Sequence, residues 1–156
     1  MTISILYSNI LSDLRGKNKE EVRSISDPKA RYFAEAGSEK SYEIARCIQE
    51  AMSQAKSLFV RFAQVETQQD TSTSNEVSAE DMAIVFNISD RRGSGKAEVL
   101  TNTFHSLIVN HALSKYYNTV QLPDLAAKRA ALATEDVKLL NKLLYEKLPP
   151  VYPTIL

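Results

Sequence analysis

The stretch FHSLIVNHALSKYYNTVQLP, Phe104 to Pro123, holds both histidines of a 156-residue chain and two of its seven tyrosines. Its reading decides between a site where imidazoles gather and the inside of a helix. On an ideal helix, residues six apart point about 120° from one another, so His105 and His111 cannot bind one metal from the same helix. The residues three before them are Asn102 and Ile108, so the Glu-x-x-His spacing of di-metal bundles is absent as well. His111 falls with Leu100, Phe104, Leu107 and Ile108 on the apolar stripe, and His105 lies on a flank with Val109, Ala112 and Tyr116. Both are expected as core or boundary side chains whose ring nitrogens meet a carbonyl, hydroxyl or carboxylate. Tyr116 and Tyr117 are expected to close the bundle, one packed inward and one outward.

This helix is expected to run from about Lys96 to Tyr117. A turn, NTVQLPD, then leads into an alanine-rich helix from Pro123 to about Lys147, with Pro123 suited to the first helical position. So short a connection makes the two helices antiparallel neighbours. Ala126, Ala130 and Ala133 allow close approach, while Leu125, Leu132, Leu139, Leu140, Leu143 and Leu144 supply core. Arg129 and Asp136 intrude on that face. Either they pair with something partly buried, or the helix breaks at Thr134, which would cap a second segment; the break is the reading adopted. A base role for His111 would need Asp136 or Glu135 brought to it by the antiparallel register.

Working back toward the N-terminus, MAIVFNIS (Met82 to Ser89) alternates Ile84, Phe86 and Ile88 against Ala83, Val85 and Asn87, which predicts one strand. A lone strand needs a partner in this chain or another. DRRGSGK follows as a loop; it lacks the spacing of a phosphate-binding loop, and Ala97 stands where the hydroxyl residue belongs. The polar segment Glu66 to Asp81 has no apolar period, and a partner subunit is one candidate for holding it. Before it, three seven-residue series predict a long helix from a Ser38 cap to about Val65: Ile44, Ala51, Leu58, Val65; Ala45, Met52, Phe59; and Ile48, Ala55, Phe62. Cys47, Gln54 and Arg61 share its outer side, making Cys47 a partly exposed, incidental thiol. In SDPKARYFAEAG, Ser26 or Asp27 caps a short helix, Pro28 opens it, and Gly37 ends it in a left-handed conformation. Ile3, Leu6, Ile10 and Leu14 predict a short amphipathic helix over Ile3 to Leu14, with Arg15 to Val22 as a charged linker.

Composition bounds the function. Nineteen lysines and arginines balance nineteen aspartates and glutamates, so no global field draws the chain to nucleic acid or an anionic membrane. One cysteine excludes an internal disulfide framework and fits a reducing compartment. The N-terminal stretch reads as neither a secretory signal nor a spanning helix, so a cytoplasmic site of synthesis is expected. No nucleophile arrangement is present, and no cofactor, metal or catalytic residue is assigned.

In the C-terminal half, FHSLIVNHAL, the aromatic pair YY, Pro123, the alanine-bearing helix, LLNKLLYEKL and PPVYP together resemble small helical proteins encoded among the structural genes of tailed phages and prophages. The resemblance covers about Met82 to Pro153. It implies a virion or tail-assembly role, without enzymatic activity, and supplies no functional residues.

The sequence thus predicts a mainly α fold: a helical bundle with two or three long helices, short N-terminal helices and one short β-strand. It reads as one domain over residues 1–156, with a polar loop at 66–81 and an extended proline-rich tail at 148–156. The expected function is a non-enzymatic structural or assembly subunit, plausible as a phage virion or tail/neck component. The alternative is a cytosolic adaptor or chaperone-like binding module. Its partners are other protein subunits in a homo-oligomer or hetero-complex, with no specific nucleic acid and no membrane. Docking is expected through strand addition at Ile84, Phe86 and Ile88 and through insertion of Val151, Tyr152, Ile155 and Leu156.

Overall fold

A computed structural model describes residues 1–63, 82–89 and 95–145. The fold is mainly α, as expected. Its elements are β1 (Thr2–Leu6), α1 (Tyr7–Val22), α2 (Pro28–Ala34), a 3-10 turn (Ser38–Lys40), α3 (Ser41–Leu58), β2 (Ala83–Asn87), α4 (Ala97–Thr119) and α5 (Pro123–Tyr145). The expected tail at 148–156 and loop at 66–81 lie outside the described residues.

Helix α4 is the element against which α5, α3, α1 and β1 all pack. Twelve of its side chains are buried, from Leu100 to Tyr117, and they lie on more than one face of the helix. A helix apolar on several sides belongs inside a bundle rather than on its surface. The aromatic core forms around it. Phe104 stacks on Phe86 of β2 with ring centroids 4.1 Å apart, and meets Phe59 edge-on at 5.3 Å.

The N-terminus differs from the expectation. Thr2 to Leu6 form a strand rather than the start of a helix, and Ile3 and Ile5 are buried while Thr2, Ser4 and Leu6 are exposed. TISIL satisfies both a helical and an alternating spacing; its β-branched residues and the availability of β2 favour the strand. β1 and β2 pair antiparallel from Thr2↔Asn87 to Leu6↔Ala83. Helix α1 then runs through the supposed linker to Val22, burying Tyr7, Ile10, Leu14, Asn18 and Val22 at three- to four-residue steps. The charges Arg15, Lys17, Lys19, Glu20 and Glu21 made this stretch look solvated, and the core position among them is filled by a polar residue, Asn18.

Further differences are local. Asp27 caps α2 through a bond from the Lys29 N–H, with Pro28 at the first position. The helix ends at an extended Glu35, and Gly37 is also extended (φ −78°), so no left-handed residue closes it. Ser38 opens a 3-10 turn instead of capping α3, which stops at Leu58 and leaves that side chain exposed. The α4–α5 turn places Gln121 at φ 61°, and the Leu122 N–H reaches the Tyr117 carbonyl at 2.8 Å.

α5 is continuous through Thr134, whose hydroxyl bonds back to the Ala130 carbonyl at 3.0 Å instead of capping a new segment. Leu140 and Leu144 are buried, but Leu132, Leu139 and Ala130 are exposed, so the core face is narrower than the leucine count suggested.

The two charges that interrupt α5 have buried partners. Arg129 donates from Nη1 to Asn110 Oδ1 at 2.9 Å, and from Nε to Glu21 Oε1 at 2.7 Å, with Nη2 on the same carboxylate oxygen. Asp136 Oδ2 accepts from Ser106 at 2.8 Å and from Asn110 Nδ2 at 2.9 Å. Asn110 therefore links the two charges, and α1, α4 and α5 share one polar network. Breaking such a pair strands a charge, whereas replacing both members with apolar groups does not. Arg129→Met is expected to lose about 3–5 kcal/mol in urea denaturation. Glu21→Leu/Arg129→Met should recover most of that loss, and an equal loss in both variants would contradict the pairing.

Candidate interaction face

Where α2 turns into α3, the sequence RYFAEAGSEKSYE lays down three large aromatic side chains that the fold leaves outside. Tyr32 is 66 % exposed, Phe33 57 % and Tyr42 83 %. A seven-residue helix has room to bury only one narrow face, and here Ala34 takes it. Tyr42 stands two residues before buried Ile44, off the apolar stripe of α3.

The backbone beneath these rings is held from inside. The Tyr116 hydroxyl, fully buried on α4, donates toward the carbonyls of Ala34 and Glu35 at 3.1 and 2.8 Å. From α1, Asn18 donates to the Ala34 carbonyl at 3.1 Å and accepts the Ala36 N–H at 2.7 Å. Lys40 folds its ammonium onto the Phe33 carbonyl, with the Tyr116 hydroxyl 3.3 Å away and the Phe33 ring centroid at 5.1 Å. Burial lowers the Lys40 pKa, and the surrounding Glu39, Glu43 and Glu35 oppose that shift. Three side chains from separate elements therefore fix residues 33 to 36, while the neighbouring rings face outward.

Next to Tyr42 lies a cleft of about 350 Å³ between α3 and α4, lined by Tyr42, Glu43, Arg46, Cys47, Glu50 and Lys115 among others. Glu50 receives Arg46 at 3.2 Å and Lys115 at 3.3 Å. Cys47 is buried at 7 % exposure, not partly exposed as expected, because its side of α3 faces Lys115, Asn118 and Thr119 of α4. Burial and then Glu50 raise its pKa, which keeps it a thiol at neutral pH and makes it a poor nucleophile.

Both tyrosines of the YY pair are buried, correcting the inward–outward expectation. The Tyr117 hydroxyl finds Glu21 Oε1 at 3.2 Å, so the second ring has a polar partner inside. Burial pushes both phenols well above their ordinary pKa. His105 sits at the boundary as expected, with Nε2 2.9 Å from Asp13 Oδ2. Burial alone would raise the Asp13 pKa; the His105 hydrogen bond and Lys17 outweigh it and hold the carboxyl below its ordinary value. His111 is only half-buried, and its Nε2 has no hydrogen-bond partner among the described residues. Asp136 is bonded to Ser106 and Asn110, and Glu135 to Lys138, so neither carboxylate serves His111. Among the described residues no three His, Cys, Asp or Glu side chains gather as a metal site. None of the described helices is long and apolar enough to cross a membrane.

The expected docking strand is placed differently. Ile84, Phe86 and Ile88 face the core, and β2 is engaged on both edges: by β1, and by the Ala63↔Phe86 bridge with the Asn87 N–H on the Phe62 carbonyl at 2.7 Å. The second edge of β2 is thus occupied at Phe86 and Asn87. Val151, Tyr152, Ile155 and Leu156 lie outside the described residues. The aromatic segment was missed by sequence reading, although adjacent Tyr32 and Phe33 on so short a helix were the available signal.

Comparison of the chain with protein-family models, curated proteins and solved structures gives no significant match.

Burial lowers the His111 pKa below its ordinary 6.5, with Lys115 adding to the effect. As pH falls through about 6.5, the unfolded chain takes up a proton that the folded chain resists, so this group removes stability on the acid side. His111→Gln should therefore show a smaller drop in urea midpoint between pH 7.5 and pH 5.5 than the unsubstituted chain. An identical pH dependence in the two proteins would contradict this assignment.

Proposed function

We propose that the chain is a non-enzymatic structural or assembly subunit of a larger protein complex. The observation that carries this reading is the exposure of Tyr32, Phe33 and Tyr42 around a backbone segment, residues 33 to 36, that Tyr116, Asn18 and Lys40 fix. Large aromatic side chains are depleted from ordinary surface and enriched where proteins bind proteins. A pre-fixed backbone reduces the ordering cost of such binding. Among the described residues, several side chains able to do chemistry are occupied elsewhere: Asp136 and Glu21 in the buried network, His105 on Asp13, and Cys47 buried with its pKa raised, while His111 Nε2 meets no carboxylate. The finer reading, a virion or tail/neck component, rests on the resemblance of the C-terminal half.

The test is isolation of the native complex from cells that make the protein, followed by native mass spectrometry. A fixed stoichiometry of several subunits supports the assembly role. A one-to-one complex with a single client supports the adaptor reading instead. Tyr32→Ser/Phe33→Ser/Tyr42→Ser should leave the helical circular dichroism unchanged and reduce incorporation by about tenfold or more, the scale of losing one binding hot spot. Full incorporation of this variant would remove the aromatic segment from the account.

A further inference from the structure

Strand β1 has two edges, and the fold uses one. The Tyr7 N–H bonds the Met82 carbonyl and the Ile88 N–H bonds the Met1 carbonyl, each at 2.9 Å. These contacts fix the phase of the ladder, so Ile3 with Phe86 and Ile5 with Ile84 are the pairs that exchange hydrogen bonds. Alternation then turns the main-chain groups of Thr2 and Ser4, and the N–H of Leu6, away from β2. No main-chain group among the described residues meets them. The Leu6 carbonyl is already committed to the first turn of α1.

Open edges in natural proteins are blunted by a lysine, a proline or a bulge. TISIL carries no charge and no proline, and its five residues pair with β2 in unbroken register, without a bulge. Thr2, Ser4 and Leu6 also expose their side chains. Such an edge is a template for another strand.

We propose that the open edge of β1 pairs antiparallel with β1 of a second copy about a twofold axis at Ser4, giving a four-stranded sheet with each β2 outermost. Full overlap of the five residues sets Ser4 opposite the partner's Ser4 and Thr2 opposite the partner's Leu6. Every cross-strand pair is then neutral, and exposed Leu6 is covered, so the edge is complementary to itself as a twofold interface requires. Ile3 and Ile5 lie on the same side of the sheet in both copies, and each chain keeps its own core. This inference rests on β1 alone and is separate from the docking role of the aromatic segment.

The experiment is sedimentation equilibrium of the full chain from about 10 µM to about 1 mM, a span that covers weak strand pairing. The unsubstituted chain is expected to dimerise in this range. Ser4→Lys sets two ammonium groups opposite one another across the axis and Ser4→Glu two carboxylates. Each alone should raise the dissociation constant about tenfold or more, and an equimolar mixture should restore a heterodimer. Ser4→Pro removes an N–H that points away from β2, so it should abolish dimerisation while the thermal melt stays cooperative. If that variant does not fold, the Lys and Glu variants carry the test alone. A monomer across the whole range, a dimer indifferent to Ser4→Lys, or a mixture that stays monomeric each overturns the proposal. A dimer lost with Tyr32→Ser/Phe33→Ser/Tyr42→Ser but kept in Ser4→Lys assigns the contact to the aromatic segment and overturns it equally.

Discussion

A buried phenol hydroxyl on the central helix reaches two main-chain carbonyls of a segment about eighty residues earlier in the chain, and the candidate interaction face depends on that contact. Tyr116 supplies the hydroxyl, and Ala34 and Glu35 the carbonyls. A carbonyl left unpaired inside a protein costs about 1–3 kcal/mol, so the pairing constrains where α2 can sit. Asn18 from α1 makes the constraint two-sided by taking the Ala36 N–H and giving to the Ala34 carbonyl. With the backbone of residues 33 to 36 fixed, Tyr32 and Phe33 are held on the outer side of α2.

The adjacent tyrosine performs the same service for the other half of the bundle. Tyr117 meets Glu21, which also receives Arg129, and Arg129 reaches Asn110 and through it Asp136. Consecutive residues on a helix point about 100° apart, so YY can address two different neighbours at once. One hydroxyl ties α4 to the α2 segment, and the other joins α4 to the charge network of α1 and α5. A polar core of this kind adds little net stability compared with apolar packing, but it penalises every arrangement in which one member is misplaced.

Much of this architecture was legible in the residues. α4, the turn and α5 follow from apolar spacing and Pro123, and β2 from strict alternation. The N-terminal strand was not, because TISIL fits two periods and only the presence of β2 selects one. α1 was cut short by its charged run Arg15 to Glu21, within which the core position is filled by Asn18, whose partners lie sixteen to eighteen residues away. The continuity of α5 was missed because Thr134 has two uses for its hydroxyl, and the partners that donate to Asp136, Ser106 and Asn110, stand on another helix. The candidate site was less legible than the fold. Exposure of Tyr32 and Phe33 depends on which face of α2 the Tyr116 and Asn18 contacts turn inward, and both are long-range.

The central claim is that these side chains hold the aromatic segment in place. Amide hydrogen exchange resolved to Ala36, in the unsubstituted chain and in Tyr116→Phe, tests it most directly. The account requires exchange at Ala36 to be slow in the unsubstituted chain and markedly faster in the variant, with the amides of α5 unchanged. Equal protection of Ala36 in both proteins would contradict it.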